Sequence, residues 1–167
     1  MNKSQINLIA QKHKFIEIFV SMRPKQWIKN IFVFAGLIFS KSFFNMEAIL
    51  KTVFAFVLFS AVSGTAYVIN DVIDRKRDAL HPLKSKRPIA SGRLKPVEAL
   101  LPLSFFLVFA FWISYVVDTK FFAILMVYFL LVLVYSVVLK NYVIMDVIVI
   151  AAGFVLRILG GTMIINV

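Results

Sequence analysis

Hydrophobic positions in this chain fall in long unbroken blocks, and the polar positions gather between them. Apolar blocks cover residues 49–69, 97–117, 121–139 and 142–165. Each is near the roughly 20 residues that an α-helix needs to cross the hydrocarbon of a bilayer. A shorter block, 31–44, follows Arg23, Lys25, Trp27 and Lys29. It reads as a further crossing whose basic flank reaches out to the headgroups. Residues 118–120 and 140–141 leave room only for tight turns, whereas 70–96 is one long polar segment. The pattern predicts an all-α, polytopic transmembrane bundle of about five spans, forming a single domain over 1–167. In residues 1–22, Leu8, Ile9, Phe15, Ile16, Phe19 and Val20 form a stripe at helical spacing that Lys12 interrupts. That stretch reads as an amphipathic helix lying in the membrane interface. It has neither the continuous apolar region nor the cleavage site of a signal peptide.

Composition strengthens this picture. Of the 167 residues 61% are hydrophobic, and the mean hydropathy is +0.90. A soluble domain has roughly 45–50% apolar residues. The net charge of +11 does not point to nucleic acid, because the cations stand at the ends of apolar blocks. There they set orientation and meet anionic lipid. One side collects Lys3, Lys12, Lys14, Arg23, Lys25 and Lys29, then Arg75, Lys76, Arg77, Lys84, Lys86, Arg87, Arg93 and Lys95, then Lys140. The other side has Lys41, Lys51 and Lys120. Fifteen against three predicts that the N terminus, the 70–96 loop and Lys140 are cytoplasmic, in a multi-pass protein of the cell (inner) membrane. Cysteine is absent, and His13 and His81 are too far apart to argue for a metal site.

The chemistry concentrates in Asn70-Asp71-Val72-Ile73-Asp74-Arg75-Lys76-Arg77-Asp78. On a helix, Asn70, Asp71, Asp74 and Asp78 fall within an arc of roughly 100°. Three carboxylates that close repel unless a cation sits among them. Mg²⁺ suits such a place, since it takes a few carboxylate oxygens and completes its shell with water and phosphate. The plainer reading is a solvated helix end in which Asp74 and Asp78 pair with Arg75, Lys76 or Arg77. Further along, Ser60, Ser63, Gly64, Thr65 and Ala66 form a small-residue patch suited to close helix packing. Pro102 predicts a mild kink. Asp146 and Arg157 are costly in lipid and are expected to face protein, with Gly153, Gly160 and Gly161 allowing close contact.

Three segments carry a family resemblance. Asn70-Asp71-x-x-Asp74-x-x-x-Asp78 resembles the first aspartate-rich motif of the UbiA-type prenyltransferases. Arg87-Pro88-Ile89-Ala90-Ser91-Gly92 is similar to the segment that follows it, and Tyr135-Ser136-Val137-Val138-Leu139-Lys140 to the family's Tyr and Lys element after the fourth span. Arg23-Pro24-Lys25-Gln26-Trp27-Ile28-Lys29-Asn30, His81-Pro82-Leu83-Lys84 and Gly153-Phe154-Val155-Leu156-Arg157 resemble the polyprenyl-phosphate phosphoribosyltransferase branch. The resemblance implies a nine-span fold and a Mg²⁺-dependent transferase that uses a diphosphate donor and a polyprenyl lipid. The branch implies transfer of phosphoribosyl from phosphoribosyl diphosphate to polyprenyl phosphate, as in cell wall biosynthesis. The alternatives are prenyl transfer from prenyl diphosphate to another acceptor, or a non-catalytic membrane fragment or helper subunit. By the resemblance Asp71, Asp74 and Asp78 hold Mg²⁺. Asn70, Arg23, Lys25, Lys84, Lys86, Arg87, Tyr135 and Lys140 contact substrate; neither histidine needs a catalytic role, though His81 could contact phosphate. A second aspartate-rich motif is not found in this sequence. The expectation is therefore the N-terminal part of a longer enzyme, inactive alone unless a missing half or a homo-oligomer completes it.

Overall fold

A computed structural model describes residues 3–166; the side chains of residues 3–10, 12, 141 and 143 lie outside the described residues, Leu8, Ile9 and Lys12 of the expected stripe among them. The described elements are all helical. They are α1 (Lys3–Ser21), a 3-10 stretch (Pro24–Phe34), α2 (Ala35–Phe39), α3 (Met46–Ile73), α4 (Arg75–Ala79), a 3-10 turn (Lys84–Lys86), α5 (Pro96–Val117), α6 (Thr119–Val137), a second 3-10 turn (Leu139–Asn141) and α7 (Val143–Ile164). Among the described residues four helices are long and apolar enough to cross a membrane: α3, α5, α6 and the Ile144–Ile164 part of α7.

The ends of these helices follow from local chemistry. Asn45 caps α3, its side chain accepting from the Ala48 amide at 3.2 Å, with Glu47 in the first turn. This cap starts the helix ahead of the apolar block. Pro96 opens α5 at a position where its missing amide proton costs nothing. Asp118 ends α5 and caps α6, accepting from the Phe121 amide at 2.6 Å, so the two helices turn back without a loop.

The expected crossing over 31–44 takes a different form. Eleven residues wind as a 3-10 helix and only five as α2. At about 2.0 Å rise per residue, then about 1.5 Å, these sixteen residues reach about 30 Å, the thickness of the hydrocarbon. In a 3-10 helix, side chains three apart stack on one face. Asn30 and Val33 are accordingly the buried positions of the 3-10 stretch, and Gly36 and Leu37 continue the inward face on α2.

α3 is the central element, packed on the 3-10 stretch, α5, α6 and α7. Phe59 of α3 is fully buried and meets the rings of Phe121 and Tyr128 at 6.0 and 5.3 Å. The small-residue patch lies inside: Ser60, Ser63, Thr65 and Ala66 are buried, and Gly64 receives Met22. On α7, a methyl added to Gly161 would overlap the Val33 carbonyl. That glycine is what lets α7 lie directly on the 3-10 backbone. α1 is tied to the polar loop and α5 by Arg93–Glu17 (3.1 Å) and Lys14–Glu98 (2.7 Å). Phe15, Ile16, Phe19 and Val20 of α1 stay exposed.

Candidate functional site

The acidic face forms where α3 runs into α4. Asp74 closes α3 with φ −86° and ψ 1°, yet the turn-to-turn bonds continue: Asp74 N donates to Asn70 O (2.9 Å) and Asp78 N to Asp74 O (2.8 Å). The near-continuous winding keeps Asp71, Asp74 and Asp78 on one side. Their side chains are only 3%, 10% and 2% exposed. Buried carboxylates need partners: Asp71 and Asp74 have them from distant parts of the chain, and Asp78 from the loop nine residues on.

Arg87 Nη1 donates to Asp71 Oδ1 at 3.1 Å and to Asp78 Oδ2 at 2.6 Å. It is held there by the turn that follows. Ser91 N bonds back to Arg87 O, Gly92 adopts φ +81°, and Ile89 and Leu94 are fully buried against Val68, Ala99 and Leu103. Arg23 also donates to Asp71 and lies 5.0 Å from the centre of the Tyr67 ring. Its backbone is left-handed (φ 53°, ψ 64°), a conformation that costs a non-glycine residue about 1–2 kcal/mol. That turn swings the chain from α1 into the 3-10 stretch and aims the guanidinium at the acidic face. Lys140, from the turn after α6, reaches Asp74 at 2.5 Å, and Arg77 reaches the same carboxylate at 3.0 Å.

Around these pairs lies a polar cavity of about 350 Å³. Of the residues singled out from sequence, Arg23, Asn70, Asp74, Lys84, Arg87, Tyr135 and Lys140 line it, with Asp71 and Asp78 ion-paired to its Arg23 and Arg87. Two do not. Lys25 is exposed on an apolar cleft beside Trp27, and Lys86 is exposed, offering only its carbonyl to Arg93. His81 is used locally: its Nδ1 accepts from the Leu83 and Lys84 amides at 3.2 and 3.3 Å. The structure adds Arg77 and Tyr67 to the lining and gives Tyr135 a partner, its hydroxyl donating to Asp146 at 2.8 Å. Arg77 stands in the motif itself and was visible as a carboxylate partner; Tyr67 carries no local signal.

Five cations (Arg23, Arg77, Lys84, Arg87, Lys140) face three carboxylates here, so the cavity is a net positive pit at one end of the bundle. Such a pit attracts a compact polyanion. Among the described residues no three carboxylate or imidazole groups form a ready-made metal cage. Mg²⁺ seldom uses one, taking one or two carboxylates plus substrate phosphate. Asp71 and Asp78 already converge on a single positive centre, the Arg87 nitrogen, so the donor set fits a cation presented by a ligand.

The description "UbiA prenyltransferase family" belongs to the family whose sequence model matches residues 30–167. The uncharacterized protein y4nM of Sinorhizobium fredii is 35% identical over 140 residues, which are 84% of this chain and 27% of that protein. Decaprenyl-phosphate phosphoribosyltransferase of Corynebacterium glutamicum is 33% identical over 150 residues, 84% of this chain and 44% of that one. The chain thus spans less than half the length of either relative. Among solved structures, a UbiA homolog from Archaeoglobus fulgidus bound to GPP and Mg²⁺ superposes with a TM-score of 0.72 at 22% identity, covering 90% of this chain and 54% of that one. The four long apolar helices and the match over residues 30–167 lead to one conclusion: this chain is a multi-pass membrane protein and belongs to the UbiA prenyltransferase family.

Proposed function

We propose that this chain contributes the diphosphate-binding half of a Mg²⁺-dependent membrane transferase. The reaction is phosphoribosyl transfer from phosphoribosyl diphosphate to a polyprenyl phosphate, with the polar loop on the cytoplasmic face of the inner membrane. The observation that carries the reading is the convergence of Arg23, Arg87 and Lys140 on the Asp71–Asp74–Asp78 face from three separate parts of the chain. Its likeness to the Corynebacterium enzyme supports the choice of donor and acceptor.

In this reading the ion pairs exchange partners when substrate arrives. Arg23, Lys84, Arg87 and Lys140 turn to the phosphate oxygens, and Asp71, Asp74 and Asp78 turn to Mg²⁺, directly or through water. The metal, when bound, neutralises charge building on the leaving diphosphate. The bond between ribose C1 and the diphosphate oxygen breaks and its electron pair leaves with the diphosphate. An oxygen of the lipid phosphate then bonds to C1. That acceptor is already anionic, so no general base is required. Cations fixed before the reaction stabilise the developing charge without reorganisation. Tyr135, held by Asp146, offers its hydroxyl oxygen at the cavity wall.

The test uses the purified protein in lipid, given labelled phosphoribosyl diphosphate or labelled prenyl diphosphate, each with and without Mg²⁺. The expected result is Mg²⁺-dependent binding of the phosphoribosyl donor. Asp74→Asn, which removes charge with little change of shape, is expected to abolish that binding while membrane insertion stays normal. Selective capture of the prenyl donor would replace the reading with prenyl transfer. Unchanged binding in a well-inserted Asp74→Asn protein would reduce the motif to carboxylates that serve only in ion pairs.

A further inference from the structure

Arg157 carries a charge that the diphosphate site does not use. It is 6% exposed, in the interior of the bundle. Its Nε donates to Asn30 Oδ1 at 2.7 Å, its Nη1 to the Gly153 carbonyl at 2.7 Å and its Nη2 to the Tyr128 hydroxyl at 2.8 Å. The guanidinium also lies 4.7 Å from the centre of the Tyr128 ring. Every one of these partners is neutral. Arg23, Arg77, Arg87 and Lys140 all have carboxylates, whereas among the described residues none lies within ion-pair distance of Arg157. A buried cation without a counter-charge is costly. The neutral cage fixes the guanidinium in place and leaves its charge open. It also leaves donors open, because three of the five guanidinium N–H groups are engaged and two are not.

Arg157 borders a second cavity, of about 230 Å³. Lys29, Ser63 and Tyr128 line it with Arg157, and among the described residues no Asp or Glu does. Tyr67, Val132 and Tyr135 belong to its wall and to the wall of the diphosphate cavity, so the two are neighbours. Tyr128 lies seven residues before Tyr135 on α6, which places the guanidinium's partner about 10 Å deeper along the helix.

We propose that this deeper cavity is a phosphate-monoester subsite, in which Arg157 and Lys29 hold a singly phosphorylated group while diphosphate occupies the outer cavity. The proposal rests on the phosphoribosyl-transfer reading, and that reaction supplies two such groups of the same chemistry: the lipid phosphate of the acceptor and the 5-phosphate of the donor. Nη1 and Nη2 each make a single hydrogen bond and each keep a second N–H, which gives the guanidinium donors for a phosphate oxygen. Two cations facing an apolar, carboxylate-free chamber select an anion and reject its uncharged analogue.

The experiment measures binding to the 167-residue chain in lipid nanodiscs by calorimetry. The probes are polyprenyl phosphate against polyprenol, ribose 5-phosphate against ribose, and Mg²⁺–diphosphate. The wild type is expected to prefer one phosphorylated probe over its uncharged partner by roughly tenfold or more. Preference for the lipid pair identifies the acceptor, and preference for the ribose pair identifies the donor. Arg157→Gln should erase the preference, Arg157→Lys should restore part of it, and neither should weaken Mg²⁺–diphosphate by more than about twofold. Lys29→Gln changes an exposed residue and should cut the preference about threefold without lowering the melting temperature. A wild type that shows no preference overturns the proposal. So does a folded Arg157→Gln protein that keeps it, since Arg157 is then a strut. If Arg157→Gln does not fold, Lys29→Gln with full preference overturns it equally. Failure of Mg²⁺–diphosphate to bind the wild type is a separate result, and it sinks the transfer reading instead.

Discussion

Of the cations near the acidic face, Arg23 and Arg87 reach its carboxylates, while Lys25 and Lys86 stay exposed. Asp71, Asp74 and Asp78 were legible because helical spacing alone puts them on one face, and the near-continuous winding of α3 into α4 keeps them there. Their partners were legible only as a set of nearby cations. Spacing does not say which way a side chain leaves the backbone, so Lys25 and Lys86 look equivalent to Arg23 and Arg87 until the left-handed turn at Arg23 and the buried Ile89–Leu94 plug aim one of each pair inward. The link from Arg157 to Asn30 joins residues 127 apart and has no local signature. Gly161 is a residue whose role can be measured directly. A Cβ there would overlap the Val33 carbonyl, which is backbone and cannot rotate away. Gly161→Ala should therefore destabilise the bundle by roughly 1–3 kcal/mol through forced overpacking. A melting curve in detergent unchanged from wild type would mean that α7 can shift away at no cost.

Among the elements, the long helices were the most legible, because unbroken apolar blocks of the right length have few other uses. Their ends differ by a few residues where a cap acts: α3 starts at Met46 rather than 49 because Asn45 and Glu47 favour a helix start outside the apolar block. The 3-10 stretch was hidden for a different reason. In a short apolar block, periods of 3.0 and 3.6 are hard to tell apart, since almost every position is hydrophobic. The structure distinguishes them: Val33 is fully buried while Ile31 and Phe32 are 53% and 44% exposed. Single cysteines in a cysteine-free chain test the winding. Val33→Cys should resist a lipid-soluble maleimide, and Ile31→Cys should react readily. Equal labelling of the two would mean that this segment does not present a fixed face.

At the scale of the whole molecule, Arg23, the 70–96 loop and Lys140 meet at one end of the bundle, as the distribution of cations led one to expect of segments on one side of a membrane. The Asp118 turn joins the opposite ends of α5 and α6. Ser85→Cys and Thr119→Cys should accordingly be modified from opposite sides in intact cells. Labelling of Ser85→Cys by a reagent that cannot enter the cell would reverse the assigned orientation.

The paired state of the polar cavity has a kinetic consequence. Asp71, Asp74 and Asp78 are tethered competitors for the cations that an incoming anion needs. A tethered competitor acts at a high local concentration set by the fold, not by the solution. It lowers the apparent affinity for the anion, and it also hastens release, because a carboxylate is ready to take each cation back. Added salt weakens competitor and ligand together. Apparent affinity should then fall less steeply with ionic strength than five unpaired cations would dictate, and occupancy should turn over quickly even where the contacts in the bound state are numerous.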